Sequence, residues 1–205
     1  MFWSATPLRT RRGRIGGFSM VELAVSLAVL MVLTAIAIPS LMHSFRTYQL
    51  NDTAARVSDM LKFTRFEAVR RNRAVPFQLA QFGNDWVAWA DPDNDGILDK
   101  IEKQARISGF VTLLPAGGGP PPPTAITNAN AVGALTATPA NPGPLQFDSR
   151  GAVRVNGTLT SSVYVFYVGA SANPDEYGYR AVILLPSGAT QIWTAPAGGP
   201  WKRTG

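Results

Sequence analysis

The 205-residue chain contains 19 Lys and Arg residues and 13 Asp and Glu residues, so its formal net charge at pH 7 is +6. It has no Cys and one His, His43, which follows a long apolar run; these counts exclude a disulfide framework and a multi-histidine zinc site and argue against a His-based catalytic triad. Residues 1–17 hold four arginines and no acid, which leaves 15 minus 13, or +2, for residues 18–205, so the basic isoelectric point is weak evidence for nucleic-acid binding.

Residues 18–42 form an apolar run whose only charged side chain is Glu22. About 20 apolar residues at 1.5 Å per residue span the hydrocarbon layer of a bilayer, so the run can cross a membrane. A secretory signal peptide has a shorter apolar region that ends at a small-residue cleavage site, which is not found here. A plain signal anchor matches the hydropathy and the basic flank. It does not explain Glu22, because an unpaired carboxylate in lipid costs a few kcal/mol.

Residues 17–23, Gly-Phe-Ser-Met-Val-Glu-Leu, together with the apolar run resemble the class III signal of type IV pilins and type II secretion pseudopilins. The resemblance implies that a prepilin peptidase removes residues 1–17 as a leader by cutting between Gly17 and Phe18. It also implies methylation of the new N-terminus. Glu22 would then pair with the N-terminal amine of a neighbouring subunit during assembly, and such a cation makes a buried carboxylate tolerable.

Helical periodicity continues beyond the apolar run, because apolar residues recur on one face at Leu50, Ala54, Val57, Leu61 and Ala68. We predict one helix over about residues 18–72, transmembrane over 18–42 and amphipathic over 43–72. Pro39, which also matches the pilin family, is expected to break or bend it. Residues 61–72 resemble the Leu-x-x-Ala-Arg-x-x-Ala-x-x-Arg helix end of the GspH/FimT branch of minor pseudopilins, with Thr64 in place of a small Ala.

Short segments rich in β-forming residues follow the helix and predict the strands 75–79, 86–90, 107–114, 153–155, 163–168, 179–185 and 191–193. Ser187 and Gly188 predict a hairpin turn between the last two. Residues 147–151 resemble the Phe-x-x-x-Gly turn of the same branch. The predicted fold class is α+β and pilin-like, with a long N-terminal helix packed on a small antiparallel β-sheet domain over residues 73–194.

Residues 115–144 interrupt this domain with Gly, Pro, Ala, Thr and Asn and little apolar bulk, which predicts a mobile insertion. Residues 195–205 are expected to form a loose C-terminal tail in which Trp201 is the one apolar anchor. The tail contains Lys202 and Arg203. Some FimT-like minor pilins are implicated in DNA uptake through basic C-terminal segments, so the resemblance makes DNA an alternative partner.

Residues 91–102 match the calcium-loop pattern D-x-[DN]-x-[DN]-G-x₅-E at every fixed position. The candidate ligands are Asp91, Asp93, Asp95, the backbone carbonyl of Ile97, Asp99 and Glu102. A predicted strand, not a helix, precedes the loop, so it is not an EF-hand. Two interpretations stay open: a structural calcium site with an affinity of about 10⁻⁴–10⁻³ M, and a solvated acidic turn. No other cofactor is predicted.

The resemblance implies a minor pilin or pseudopilin, a structural subunit of a type IV pilus or a type II secretion pseudopilus, and not an enzyme. No nucleophile–base pair is evident in the sequence. Its expected partners are the prepilin peptidase and other pilins or pseudopilins, which it meets through the N-terminal helix. It would lie in the bacterial inner membrane with its C-terminal domain in the periplasm before entering a filament. The alternative is a FimT-like minor pilin that binds DNA at a pilus tip.

Overall fold

The computed structural model describes residues 17–107, 109–114, 135–137 and 145–204. Residues 1–16 of the predicted leader, and residues 115–134 and 138–144 of the predicted insertion, lie outside the described residues. The chain divides into two compact units, Met1–Met42 and His43–Gly205.

The N-terminal helix α1 spans Met20–Arg71. The predicted alternative of a break at Pro39 is not observed, because the proline removes only the hydrogen bond to the carbonyl of Ala35 and the helix continues through it. The helix ends at Arg71, because the next residue, Asn72, has a left-handed φ of 49° that stops further helical bonding. The N–H of Arg73 donates to the carbonyl of Ala68 at 3.2 Å, as expected for a Schellman ending.

The unit His43–Gly205 contains two antiparallel sheets that, with α1, confirm the α+β pilin-like prediction. The first sheet has the strand order β3-β2-β1-β6-β7-β8. In chain order its strands are β1 (Val75–Phe82), β2 (Asp85–Ala90), β3 (Gln104–Ile107), β6 (Leu145–Phe147), β7 (Val153–Val155) and β8 (Thr158–Leu159).

The second sheet has the order β12-β11-β10-β9-β4, and β5 pairs with β9 as the parallel exception. Its strands are β4 (Val111–Leu114), β5 (Leu135–Ala137), β9 (Val163–Ala170), β10 (Tyr179–Leu184), β11 (Thr190–Ala195) and β12 (Lys202–Arg203). A short helix, α2 (Pro174–Tyr177), connects β9 to β10. The sequence did not predict β5, which lies within residues 115–144.

The C-terminal half of α1 packs on the sheets through the predicted apolar face. Leu50, Ala54, Val57, Leu61 and Ala68 are each at most 1 % exposed. Strand β9 is buried on both faces, because alternate side chains enter two separate apolar clusters. Phe166 joins the cluster that contains α1, where its ring meets the edge of Phe77 at 5.9 Å, whereas Tyr167 joins the second cluster.

Two predictions about this unit were wrong. The predicted strand 107–114 is two strands in different sheets, β3 and β4, because Gly109 adopts a φ of 72° and turns the chain between them. The tail is not loose at residues 201–203. Trp201 packs 6.0 Å from the ring of Tyr167, and Lys202 and Arg203 pair with β11. The expectation that Trp201 anchors the tail is confirmed.

Candidate functional site

The predicted cleavage site precedes helix α1. Gly17 and Phe18 lie outside the helix, which begins at Met20, and Phe18 is 77 % exposed. Nothing lies within 4 Å of the position that a Cβ on Gly17 would occupy. Glu22 is exposed in the first turn, where the positive end of the helix dipole favours a carboxylate. The arrangement leaves both the predicted cleavage site and Glu22 exposed.

The surface of α1 from Met20 to Met42 is apolar and uncovered. An 18-residue window of this helix has a mean hydropathy of 2.5, and none of it is buried in the structure. Two of its hydroxyl groups bond to the helix backbone: Ser26 donates to the carbonyl of Glu22 at 2.7 Å, and Thr34 to that of Leu30 at 2.9 Å. By length and composition this segment can cross a membrane. An exposed apolar surface of this extent is typical of a membrane or protein interaction site.

The acidic loop joins β2 to β3 and is organised around Asp91, which is fully buried. Its Oδ1 accepts the backbone N–H groups of Asn94 at 2.6 Å and Asp95 at 3.2 Å. Its Oδ2 accepts the N–H of Gly96 at 2.9 Å and the side-chain amide of Gln78 on β1 at 3.0 Å. One carboxylate thus folds the turn and ties it to the first sheet.

The structure brings three of the six predicted metal ligands together. One carboxylate oxygen each from Asp91, Asp93 and Asp95 lie within 4.8 Å of one another. Glu102 is 8 % exposed, and its Oε2 accepts the N–H of Asp99 at 3.0 Å. The side chain of Ile97 is 64 % exposed and that of Asp99 is exposed, which leaves these two residues at the rim of the loop.

Crowding of like charges shows in the pKa values of two acids in this loop. The contact with the Asp91 carboxylate is the largest cause that raises the pKa of Asp93. Burial is the largest cause that raises the pKa of Glu102, and the charges of Asp91, Asp93 and Asp99 raise it further. The carboxylate of Glu102 therefore shares the electrostatic environment of the acids at the start of the loop.

Comparison with known families identifies the chain. A family model described as type II transport protein GspH matches residues 53–188, which is more than half of the sequence. The chain belongs to the GspH family. Searches of curated proteins and of solved structures found no significant match. GspH proteins are structural pseudopilins of type II secretion and not an enzyme family, and the apolar helix is consistent with an inner-membrane anchor.

In this GspH-family chain the end of α1 contains an ion-pair cluster that the sequence analysis missed. Glu67 is 6 % exposed and binds Arg70 through two hydrogen bonds, of 3.0 and 2.7 Å. Arg71 donates to the same carboxylate at 2.8 Å. The sequence pattern that could have predicted this cluster is an acid followed by arginines three and four residues later on a helix. The hydrogen bond from Arg70 is the largest cause that lowers the pKa of Glu67, while burial opposes it.

We expect Glu67→Gln to lower the stability of the chain at pH 7 by about 1–2 kcal/mol, because Arg70 and Arg71 are partly exposed and solvent screens the pairs. Because the pKa of Glu67 is lower in the folded chain than in the unfolded chain, where it is about 4.3, its carboxylate stabilises the fold at pH values above that value. This contribution is lost as the pH falls through the folded-state pKa. The Tm difference between wild type and variant should therefore shrink below about pH 4. If the Tm difference between wild type and Glu67→Gln were the same at every pH from 3 to 7, the stabilisation would not come from the ion pairs of Glu67.

The predicted nucleic-acid residues occupy the edge strand β12. Lys202 and Arg203 are exposed, and their backbones pair with Thr194 and Trp193 on β11. They are held in a sheet and not on a free tail. DNA binding stays a prediction.

Proposed function

We propose that this GspH-family chain is a minor pseudopilin that is processed by a prepilin peptidase and assembled through α1 into a type II secretion pseudopilus. The leader, residues 1–17, would be removed and Phe18 methylated. The segment 18–42 would hold the protein in the inner membrane, with the unit His43–Gly205 in the periplasm. Residues 17–23 lie outside the residues that the family model matches, so this proposal rests on the N-terminal segment itself.

One observation supports the assembly step most directly: an uncovered apolar helix with a single carboxylate in its first turn. In a filament the helices of neighbouring subunits replace lipid around this surface, so the van der Waals contacts of the apolar residues are kept. Glu22 then needs a cation in that low-dielectric environment. The new amine of Phe18 on an adjacent subunit supplies one, because cleavage places it four residues before Glu22 in every copy. Charge pairing would set the axial register of the subunits.

We expect Glu22→Ala to be cleaved normally but to enter the pseudopilus at least about tenfold less, because removal of one partner from a buried ion pair costs about 3–5 kcal/mol. The measurement is made in cells that contain the peptidase and the other pseudopilins. Mass spectrometry of the N-terminus reports cleavage, and the amount of the chain in sheared filaments reports incorporation.

Two further variants separate processing from assembly. Gly17→Val should remain uncleaved, because the peptidase is proposed to require a small residue before the cut. Glu176→Ala removes an exposed acid from α2 and should behave as wild type in both measurements. Normal incorporation of Glu22→Ala, or loss of incorporation in Glu176→Ala as well, would contradict the proposed role of Glu22.

A further inference from the structure

The acidic loop contains five carboxylates that have no salt-bridge partner among the described residues. No Lys or Arg forms a salt bridge with Asp91, Asp93, Asp95, Asp99 or Glu102 in the part of the chain that the structure describes. Arg70 and Arg71 at the end of α1 are engaged by Glu67. Arg73, just beyond the helix, donates to the backbone carbonyl of Pro92 in the loop but forms no salt bridge with the loop carboxylates. Close carboxylates without a counter-ion repel one another, and the repulsion is stronger where burial lowers the local dielectric.

The buried carboxylate of Glu102 is a second and independent indication that the loop binds a cation. Although its side chain is more than nine-tenths buried, its Oε1 has no hydrogen-bond partner among the described residues. The other oxygen, Oε2, accepts the N–H of Asp99 within the loop. The charges of Asp91 and Asp93 act on this carboxylate, so Glu102 lies near the loop acids. A buried carboxylate oxygen without a donor is costly, and a bound ion is one of the few ways to satisfy it.

The spacing of the oxygens fits a single large cation. Two ligand oxygens that each lie 2.3–2.6 Å from one calcium ion can be at most about 5 Å apart. One oxygen each of Asp91, Asp93 and Asp95 satisfies this limit at 4.8 Å or less. Glu102 does not belong to this group, so its carboxylate would have to move toward the ion on binding. The loop supplies only oxygen donors, which suit hard cations, and its irregular arrangement suits the flexible coordination of calcium better than the octahedral geometry that magnesium demands.

We propose that the β2–β3 loop binds one calcium ion through the carboxylates of Asp93, Asp95 and Glu102. Asp91 holds the turn in the conformation that presents them and adds its own charge. Ile97, the seventh loop residue, supplies a backbone carbonyl, and water completes the coordination. The ion closes the loop by joining its first turn to Glu102 at the start of the return to β3. Calcium binding by this loop does not depend on how the chain is processed or assembled.

The test compares the full chain in detergent micelles with 10 mM calcium, with 10 mM magnesium and with chelator. For a dissociation constant of about 10⁻⁴–10⁻³ M, calcium should raise the Tm by about 3–10 °C. Magnesium at the same concentration should produce less than half of this rise. An unchanged Tm in calcium, or an equal rise in magnesium, would overturn the proposal, because the second result would indicate simple screening of charge.

In variants that lack loop charges, the order of the Tm values of variant and wild type should reverse between chelator and calcium. Simple screening of charge cannot produce this reversal. The double variant Asp93→Asn plus Glu102→Gln should melt at or above the wild-type Tm in chelator, because repulsion is relieved. In calcium it should melt below wild type, because the ligands are lost. Asp59→Asn, an exposed acid on α1 outside the loop, should keep the full calcium response. A calcium-dependent rise that persists in the double variant would overturn the assignment of these ligands.

Discussion

Gly188→Ala is expected to destabilise the chain by about 2–5 kcal/mol, which is the sum of a backbone cost and a steric cost. Gly188 adopts a φ of 79°, a left-handed conformation that costs a residue with a Cβ about 1–2 kcal/mol. A Cβ at this position would also lie 2.2 Å from the carbonyl oxygen of Gly151 and 2.9 Å from Nε of Arg65. The first of these atoms is backbone and cannot move aside without shifting its own turn.

The contact matters because three elements meet there. Gly188 lies in the hairpin between β10 and β11, Gly151 in the turn between β6 and β7, and Arg65 on α1. The Nε of Arg65 donates to the carbonyl of Gly151 at 3.1 Å. A substituent on Gly188 would therefore disturb one sheet, the other sheet and the helix that joins them.

Gly83→Ala is the matched control. Gly83 has a φ of 63°, also left-handed, but nothing lies within 4 Å of the position that a Cβ would occupy there. The free energy of unfolding of Gly83→Ala should fall by only about 1–2 kcal/mol, which is the cost of the left-handed backbone. Urea unfolding of the full chain in micelles, followed by Trp fluorescence, measures both. Equal losses for the two variants would show that the contact with Gly151 contributes nothing.

The local part of this junction could be predicted from the sequence, whereas the contact could not. Ser187 and Gly188 predicted the turn, and the structure confirms it: Gly188 donates to the carbonyl of Leu185 at 2.8 Å. Residues 147–151 were also predicted as a turn, and Asp148 stabilises it by accepting the N–H groups of Arg150 and Ala152, each at 2.9 Å. That the two turns touch is a consequence of sheet packing, and no local pattern reports it.

In the acidic loop, too, the local turn could be predicted from the sequence, whereas the tertiary contacts could not. The spacing of its carboxylates predicted a tight turn, and the sharp bend at Gly96, with a φ of 74°, agrees with it. The burial of Asp91 and of Glu102 was not predictable, because it depends on β1 and on the end of α1, which are distant in sequence. Gln78 could not be identified either, since cross-strand register decides which β1 side chain reaches Asp91.

Asp91→Ala should be the most damaging change within the loop, with an expected loss of about 2–4 kcal/mol even when chelator removes all calcium. The substitution deletes an acceptor for four N–H groups, from Asn94, Asp95, Gly96 and Gln78. Hydrogen bonds to a charged group contribute about 1.5–3 kcal/mol each. Water can replace part of this at the exposed amides of the turn, but Gln78 is half-buried and has less access to it.

Asp99→Ala provides the control, because it removes an equal charge from an exposed position in the same loop. Its effect in chelator should stay within about 0.5 kcal/mol of wild type. Asp91→Asn should fall between the two variants, since the amide keeps one acceptor oxygen. If Asp91→Ala and Asp99→Ala unfold at the same urea concentration, the four hydrogen bonds do not stabilise the loop. A large loss for Asp91→Ala in chelator would instead show that Asp91 builds the turn without any ion, which separates its structural role from the proposed metal-binding role of Asp93 and Glu102.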